Sequence, residues 1–316
     1  MTVNSNAPLR IDIQQSQVIA DLIWLIRSPS LFGPSQTVPC ISSGEYKDWY
    51  DNHCHWLFHP TFDVNDLWTF INTSRRYRLG LYAEDLIRYF LLKSPQFDLL
   101  AHDLQIFENK ESVGALDFIV RLPDGSVEHW EMAMKYFLQY SPSSNWRSFI
   151  GPDGKDTLER KMKKMLDRQI HLCRRPAAIE QLSKKGIPIP SKRRILSLGR
   201  FFQAWGQKFV APKSGDKNQP TGTWIRQAEF AKYTKSCKSL WKIRIHPDWL
   251  APFMTSNQKE LMDGPQISSW SQMNLVQQTD YAMLSEMMPC EDTWKEIHRW
   301  IVVADKWEKI NGQMRS

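Results

Sequence analysis

The chain has 316 residues, 42% of them hydrophobic and 24% charged, a balance that excludes a disordered protein and predicts a folded core. Its formal net charge of +7 and pI of about 9.1 favour anionic partners, nucleic acid among them. No run reaches the apolar length of a membrane span, and the N-terminus "MTVNSNAPLR" lacks the basic-then-apolar layout of a secretory leader. Five scattered cysteines (Cys40, Cys54, Cys173, Cys237, Cys290) exclude a disulfide frame or a four-cysteine zinc site and read as reduced thiols, so a cytoplasmic protein with no membrane partner is expected.

Residues 11–27, "IDIQQSQVIADLIWLIR", carry apolar positions at helical spacing and end at Ser-Pro-Ser. Residues 45–58 and 64–72 predict shorter helices rich in Trp and Phe. At the end of the first, "HCHWLFH" gathers His53, Cys54, His55 and His59; the last two stand at a zinc-capable i, i+4 spacing, but no acid or second cysteine pair completes the set, so a packed aromatic helix is expected. A stronger helix runs from Tyr77 to Lys93, before Pro95. Glu84 lies near its start on the Gly80 face, with Asp85 expected to be the solvated neighbour; both acids also suit a helix N-terminus with no further role.

Strands follow at 97–107, 113–122 and 126–137, and the last two place acids, Asp117 and Glu131, inside apolar runs. Between them Pro123-Asp124-Gly125 has the chemistry of a three-residue hairpin loop with Gly in the left-handed position. Leu122 then faces Ser126, which sets Phe118 against Trp130 on one face and Asp117 against Glu131 on the other. Two carboxylates with Cβ atoms ~5 Å apart repel unless a cation or a shared proton lies between them. Hard oxygen donors suit Mg²⁺ or Mn²⁺. Lys135 shares the acid face through small Ala133, and its stem is expected to reach back about 6–7 Å along the strand to the acids. A simple ion pair there is the plainer alternative.

A loop dense in Ser, Pro and Gly over 141–157 leads to a long predicted helix, 156–174. Leu158, Met162, Met165, Leu166, Leu172 and Cys173 form its apolar stripe; Gln169 falls within the stripe and Lys161 on a similar heading, so both are candidates to line a cleft. Arg160, Lys163, Lys164 and Arg168 form a solvated face open to phosphate contact. A basic connector, "SKKGIPIPSKRR", precedes the strand "ILSLGRFF", and 212–223 reads as an exposed loop. "WKIRIHPDW" and "RWIVVADKW" read as strands, the second also suiting a helix. The Trp-rich C-terminal part is first core and second a surface for stacking bases.

A helix bearing Glu, a strand bearing Asp, a strand bearing Glu and Lys, then a further helix: this order, carried by "GLYAEDL", "GALDFIV", "HWEMAMKYF" and "GPDGKDTLERKMKKMLDRQIHL", resembles the PD-(D/E)XK nuclease-like superfamily and, more narrowly, an uncharacterised bacterial family of unknown function. The resemblance implies an α/β fold with a mixed central sheet flanked by helices: a restriction-endonuclease-like core at 76–175, an N-terminal helical region at 1–75 and a C-terminal α+β region at 176–316 packing on the core. It implies Asp117, Glu131 and Glu84 as ligands of Mg²⁺ or Mn²⁺, Lys135 as the catalytic cation, and Lys161 and Gln169 as substrate-binding residues. The superfamily lysine usually stands two residues after the second acid, where this chain has Ala133. Where some superfamily nucleases follow the helix Gln with Tyr four residues on, this chain has Cys173. The expected activity is metal-dependent hydrolysis of nucleic acid, DNA or RNA. The alternatives are a nuclease-like module that binds nucleic acid or a protein without cutting, and a purely structural ion network.

Overall fold

A computed structural model of the chain describes residues 13–35, 37–53, 55–59, 62–71, 78–275 and 280–307. Four helices lead: α1 (Ile13–Arg27), α2 (Ser43–His53), α3 (Val64–Ile71) and α4 (Leu79–Lys93). The predicted 45–58 helix is shorter, followed by a separate 3₁₀ turn at His55–Phe58. Helical spacing puts Leu22, Leu25, Leu67, Leu86 and Phe90 into one core with the sheet residues Phe118, Trp130 and Leu196. α4 stops because Ser94 precedes Pro95 and is extended, at ψ 125°.

Then come β1 (Asp98–Glu108), β2 (Glu111–Arg121) and β3 (Val127–Gln139), an antiparallel meander, with a short β4 (Phe149–Ile150) on the end of β3. The predicted helix 156–174 is interrupted. α5 spans Leu158–Asp167, capped by the Thr157 side chain; Arg168 leaves helical geometry (φ −129°, ψ −63°), and Gln169–Arg174 continues as a 3₁₀ helix. Its Ile170, Leu172 and Cys173 are buried under the sheet, so tertiary packing overrides local helical preference. α6 (Pro176–Lys184), with Pro at its first position, has no counterpart among the predicted elements.

The rest of the chain extends the same sheet with β5 (Lys192–Ala204), β6 (Thr221–Arg226), β7 (Leu240–Arg244), β8 (Met254–Thr255), β9 (Tyr281–Cys290) and β10 (Thr293–Val303), and adds α7 (Gln227–Ser236) and α8 (Gly264–Asn274). Of "RWIVVADKW" only Arg299–Val303 is strand, the end of β10, which β6 and β9 hold from both sides. Strand order is β1-β2-β3-β5-β6-β10-β9-β7, parallel from β3 to β10 and antiparallel at both ends. The protein is a mixed α/β fold with helices on both faces of one large sheet. β3 is buried along almost its whole length, and the polar Glu128, His129, Glu131 and Gln139 are buried with its apolar residues.

Two glycines place the site. Gly125, at φ +80°, closes the three-residue loop, with Leu122 N–H donating to Ser126 O at 2.9 Å. Gly199, at φ +138°, pairs with Lys135 so closely that a Cβ would stand 1.8 Å from the Lys135 carbonyl oxygen. That contact lets β5 hold β3 from Glu128 to Leu138.

Candidate functional site

The β2–β3 ladder has the predicted register, with Phe118 opposite Trp130 and Arg121 opposite Val127. It ends at Phe118–Trp130, and the strands part at the acids. In place of the next ladder bond, the Met132 N–H donates to Asp117 Oδ2 at 2.8 Å. Beyond this fork, Met132 to Phe137 line a cleft of about 430 Å³. β3 and α5 also bring Lys135 and Lys161 to it, and α4 brings Glu84.

Glu131 is buried. Its Oε1 lies 3.0 Å from His129 Nε2, and its Oε2 accepts from Gln169 Nε2 at 2.9 Å. Burial pushes the Glu131 carboxyl up to about 7, against the Lys161 charge and hydrogen bonds from Asp117, all of which lower it. Asp117 is also pushed up to about 7, first by burial and then by the Glu131 charge; the Met132 N–H opposes both. Glu84 adds to the negative field on Asp117, while its own Oε1 sits 2.8 Å from His102 Nε2 of β1. Three carboxylates thus share one corner.

Lys161 is the cation that faces them. Burial and then the neighbouring Lys135 lower its pKa, while Asp117 and Glu131 hold it up. Lys135 does not reach back to the acids. A strand rises ~3.3 Å per residue, so Lys135 lies roughly 13 Å beyond Glu131 rather than 6–7 Å. Its Nζ pairs instead with Asp156 Oδ2 at 3.2 Å, on the rim of the cleft. Asp85, expected to be solvated, is buried; Glu84 is its cleft-facing neighbour.

Sequence reasoning passed over His102 and His129. The second was legible: two residues before Glu131 on a strand means the same face. No local signal marks His246, Trp249 and Tyr281, which line the cleft from the far part of the chain. The "HCHWLFH" motif lies elsewhere; Cys54 is outside the described residues. His55 and His59 line a separate cavity of about 600 Å³ in which Lys93 and Tyr89 hold Asp66 at 2.8 Å each.

Among the described residues no three or more His, Cys, Asp or Glu side chains form a ready-made metal cage. The corner is nonetheless rich in oxygen. Besides the carboxylates, Gln169 Oε1 is buried and has no donor among the described residues. An unpaired acceptor beside two acids of raised pKa is where a proton or a hard cation would sit, and Asp117, Glu131 and Glu84 are the oxygen donors that would hold Mg²⁺ or Mn²⁺.

Fold and site together define an α/β protein in which buried carboxylates at a strand fork lie beside a cleft lined by Glu84, Lys135 and Lys161. The chain belongs to the family described as a domain of unknown function, DUF1853, whose model matches residues 20–303. Neither the curated proteins nor the solved structures gave a match. Among the described residues no helix is long and apolar enough to cross a membrane.

Proposed function

We propose that the protein is a metal-dependent phosphodiesterase of nuclease type. The observation that carries this reading is the meeting of Asp117 and Glu131 at the β2–β3 fork, both raised to about 7, with the Lys161 ammonium in their field. The order α4–β1–β2–β3–β4–α5–α6–β5, with β3 and β5 parallel, lends support to the likeness to the PD-(D/E)XK superfamily.

On this reading Asp117 and Glu131 hold Mg²⁺ or Mn²⁺, with Glu84 assisting directly or through water. When bound, the ion polarises a phosphate oxygen and acidifies a water. The protein's own groups do the rest. His129 and Gln169 fix the Glu131 carboxylate by one contact on each oxygen, and His102 orients Glu84. Lys161 neutralises charge developing on the phosphate, a task for which position 133 offers only Ala. Lys135, held by Asp156 at the rim, meets the incoming backbone.

One observation favours the second reading, a module that binds nucleic acid or a protein without cutting: Glu131 is shut from solvent with both oxygens engaged. The deciding experiment incubates the protein with Mn²⁺ and labelled single- and double-stranded DNA and RNA, beside Asp117→Ala, Glu131→Gln and Lys161→Ala. Cleavage that Asp117→Ala and Glu131→Gln abolish and that Lys161→Ala lowers about 100-fold supports the enzyme. Wild-type inactivity on every substrate, with binding retained, assigns the binding module.

A further inference from the structure

The wall of the cleft supplied by the far part of the chain is aromatic. His246 lies flat on Trp249, with ring centroids 3.8 Å apart and planes 28° from parallel. Trp249 is locked from behind: its indole N–H donates to the Arg244 carbonyl at 3.0 Å, and its own carbonyl accepts from Tyr136 at 2.7 Å and from buried Arg299 at 2.6 Å. Tyr281 meets it edge-on at 6.1 Å. Trp249 is 7% exposed, packed in the core with His246 stacked on its ring, whereas His246 is itself exposed. The desolvation that accompanies stacking lowers the His246 pKa, so the ring is neutral near pH 7. The result is a two-ring step whose outer ring is exposed and lines the same cleft as Glu84, Lys135 and Lys161.

From this juxtaposition we infer that His246, backed by Trp249, is a stacking platform for one unpaired nucleobase, so that the cleft takes single-stranded rather than duplex nucleic acid. The nucleic-acid nature of the ligand rests on the phosphodiesterase reading; the strand preference is new to it. Two arguments carry it. A cleft of about 430 Å³ matches a small-molecule site and accommodates about one nucleotide, not a duplex. The π-faces of bases inside a duplex are already occupied by their neighbours, while an unpaired base offers its face to any ring. A base on His246 would then leave its phosphate to Lys135 and Lys161, which line the same cleft.

The test is fluorescence anisotropy in EDTA, which needs no catalysis. The probes are a short labelled oligothymidylate, an abasic strand of equal length and the corresponding duplex. Wild-type protein is expected to bind the oligothymidylate about tenfold more tightly than the abasic strand, and the duplex least. His246→Ala should erase that ratio by weakening only the base-bearing strand, and His246→Phe should restore it; an unchanged melting temperature confirms that neither variant has lost its fold. Equal affinity for oligothymidylate and abasic strand, preference for duplex, absence of binding, or a ratio that survives His246→Ala overturns the inference. Cleavage with Mn²⁺ is scored separately. Indifferent cutting of all three probes would leave the phosphodiesterase standing without the platform, and a base-dependent ratio without cutting would do the reverse.

Discussion

The carboxylate pair makes a quantitative demand on stability. Asp117 rises from 3.8 to about 7 and Glu131 from 4.5 to about 7 on folding. One unit corresponds to about 1.4 kcal/mol, so ionising Asp117 in the folded protein costs ~4 kcal/mol and Glu131 roughly 3 kcal/mol. Part of the Asp117 cost is repulsion from Glu131, so the costs are not independent, and roughly 3–5 kcal/mol is the scale for the pair. Both folded values lie above the unfolded ones. Between about pH 4 and pH 7 the folded protein therefore binds more protons than the unfolded chain, and this contribution falls as pH rises through that window.

Asp117→Asn removes the ionisation while keeping an amide oxygen able to accept the Met132 N–H. In EDTA near pH 8 the variant should be more stable than wild type by ~3 kcal/mol, or about 5 °C in melting temperature. Near pH 4 the two should converge. Urea titrations or calorimetry across the range read the difference directly, and acids common to both proteins cancel. Mn²⁺ should narrow the gap at pH 8 by stabilising wild type alone. A difference that does not change with pH, or a wild type more stable than the variant at pH 8, would refute the reasoning and leave the acids as an ordinary hydrogen-bonded pair.

Four other outcomes follow from the same geometry. Lys161→Ala should lower Mn²⁺-dependent cleavage about 100-fold, whereas Lys135→Ala, which loses only a rim contact with Asp156, should lower it less than about tenfold; kcat for each variant separates them. Gln169→Ala frees one Glu131 oxygen and should weaken Mn²⁺ binding about tenfold, read as a displaced thermal-shift titration. Gly199→Ala drives a methyl into the Lys135 carbonyl and should cost more than about 4 kcal/mol, visible as insoluble protein or a collapsed urea midpoint. Glu296→Ala strips the partner from buried Arg244 and Arg299 and should destabilise by roughly 3–5 kcal/mol near pH 7. Because Glu296 sits depressed at about 2, its contribution is complete above about pH 4.5 and is lost as pH falls toward 2.

The hairpin and its acids are legible in the sequence because every force that sets them is local: Pro-Asp-Gly defines the loop, the loop defines the register, and period two defines the face. The helices α1 and α4 are legible for the same reason, through spacing and a stopping proline. What arrives from a distance is not. Lys161 and Lys135 both lie on headings that point toward the acids, and periodicity cannot rank them; the ranking comes from how far each element carries its residue. Four residues of strand take Lys135 out of range, while α5, crossing over the strand, returns Lys161 to the corner. The break at Arg168 works in the same way. A continuous helix satisfies the pattern of apolar residues from Leu158 to Cys173, yet the sheet beneath it demands the tighter coil that sets Gln169 against Glu131. The wall opposite belongs to the β7-to-β8 connection and reaches the cleft only because β5, β6 and β10 carry the C-terminal strands alongside β3. The buried Arg299 and Asp21 then bind that connection to β10 and α1. A substitution in these anchors, far in sequence from the acids, should therefore shift substrate binding before it touches the carboxylates.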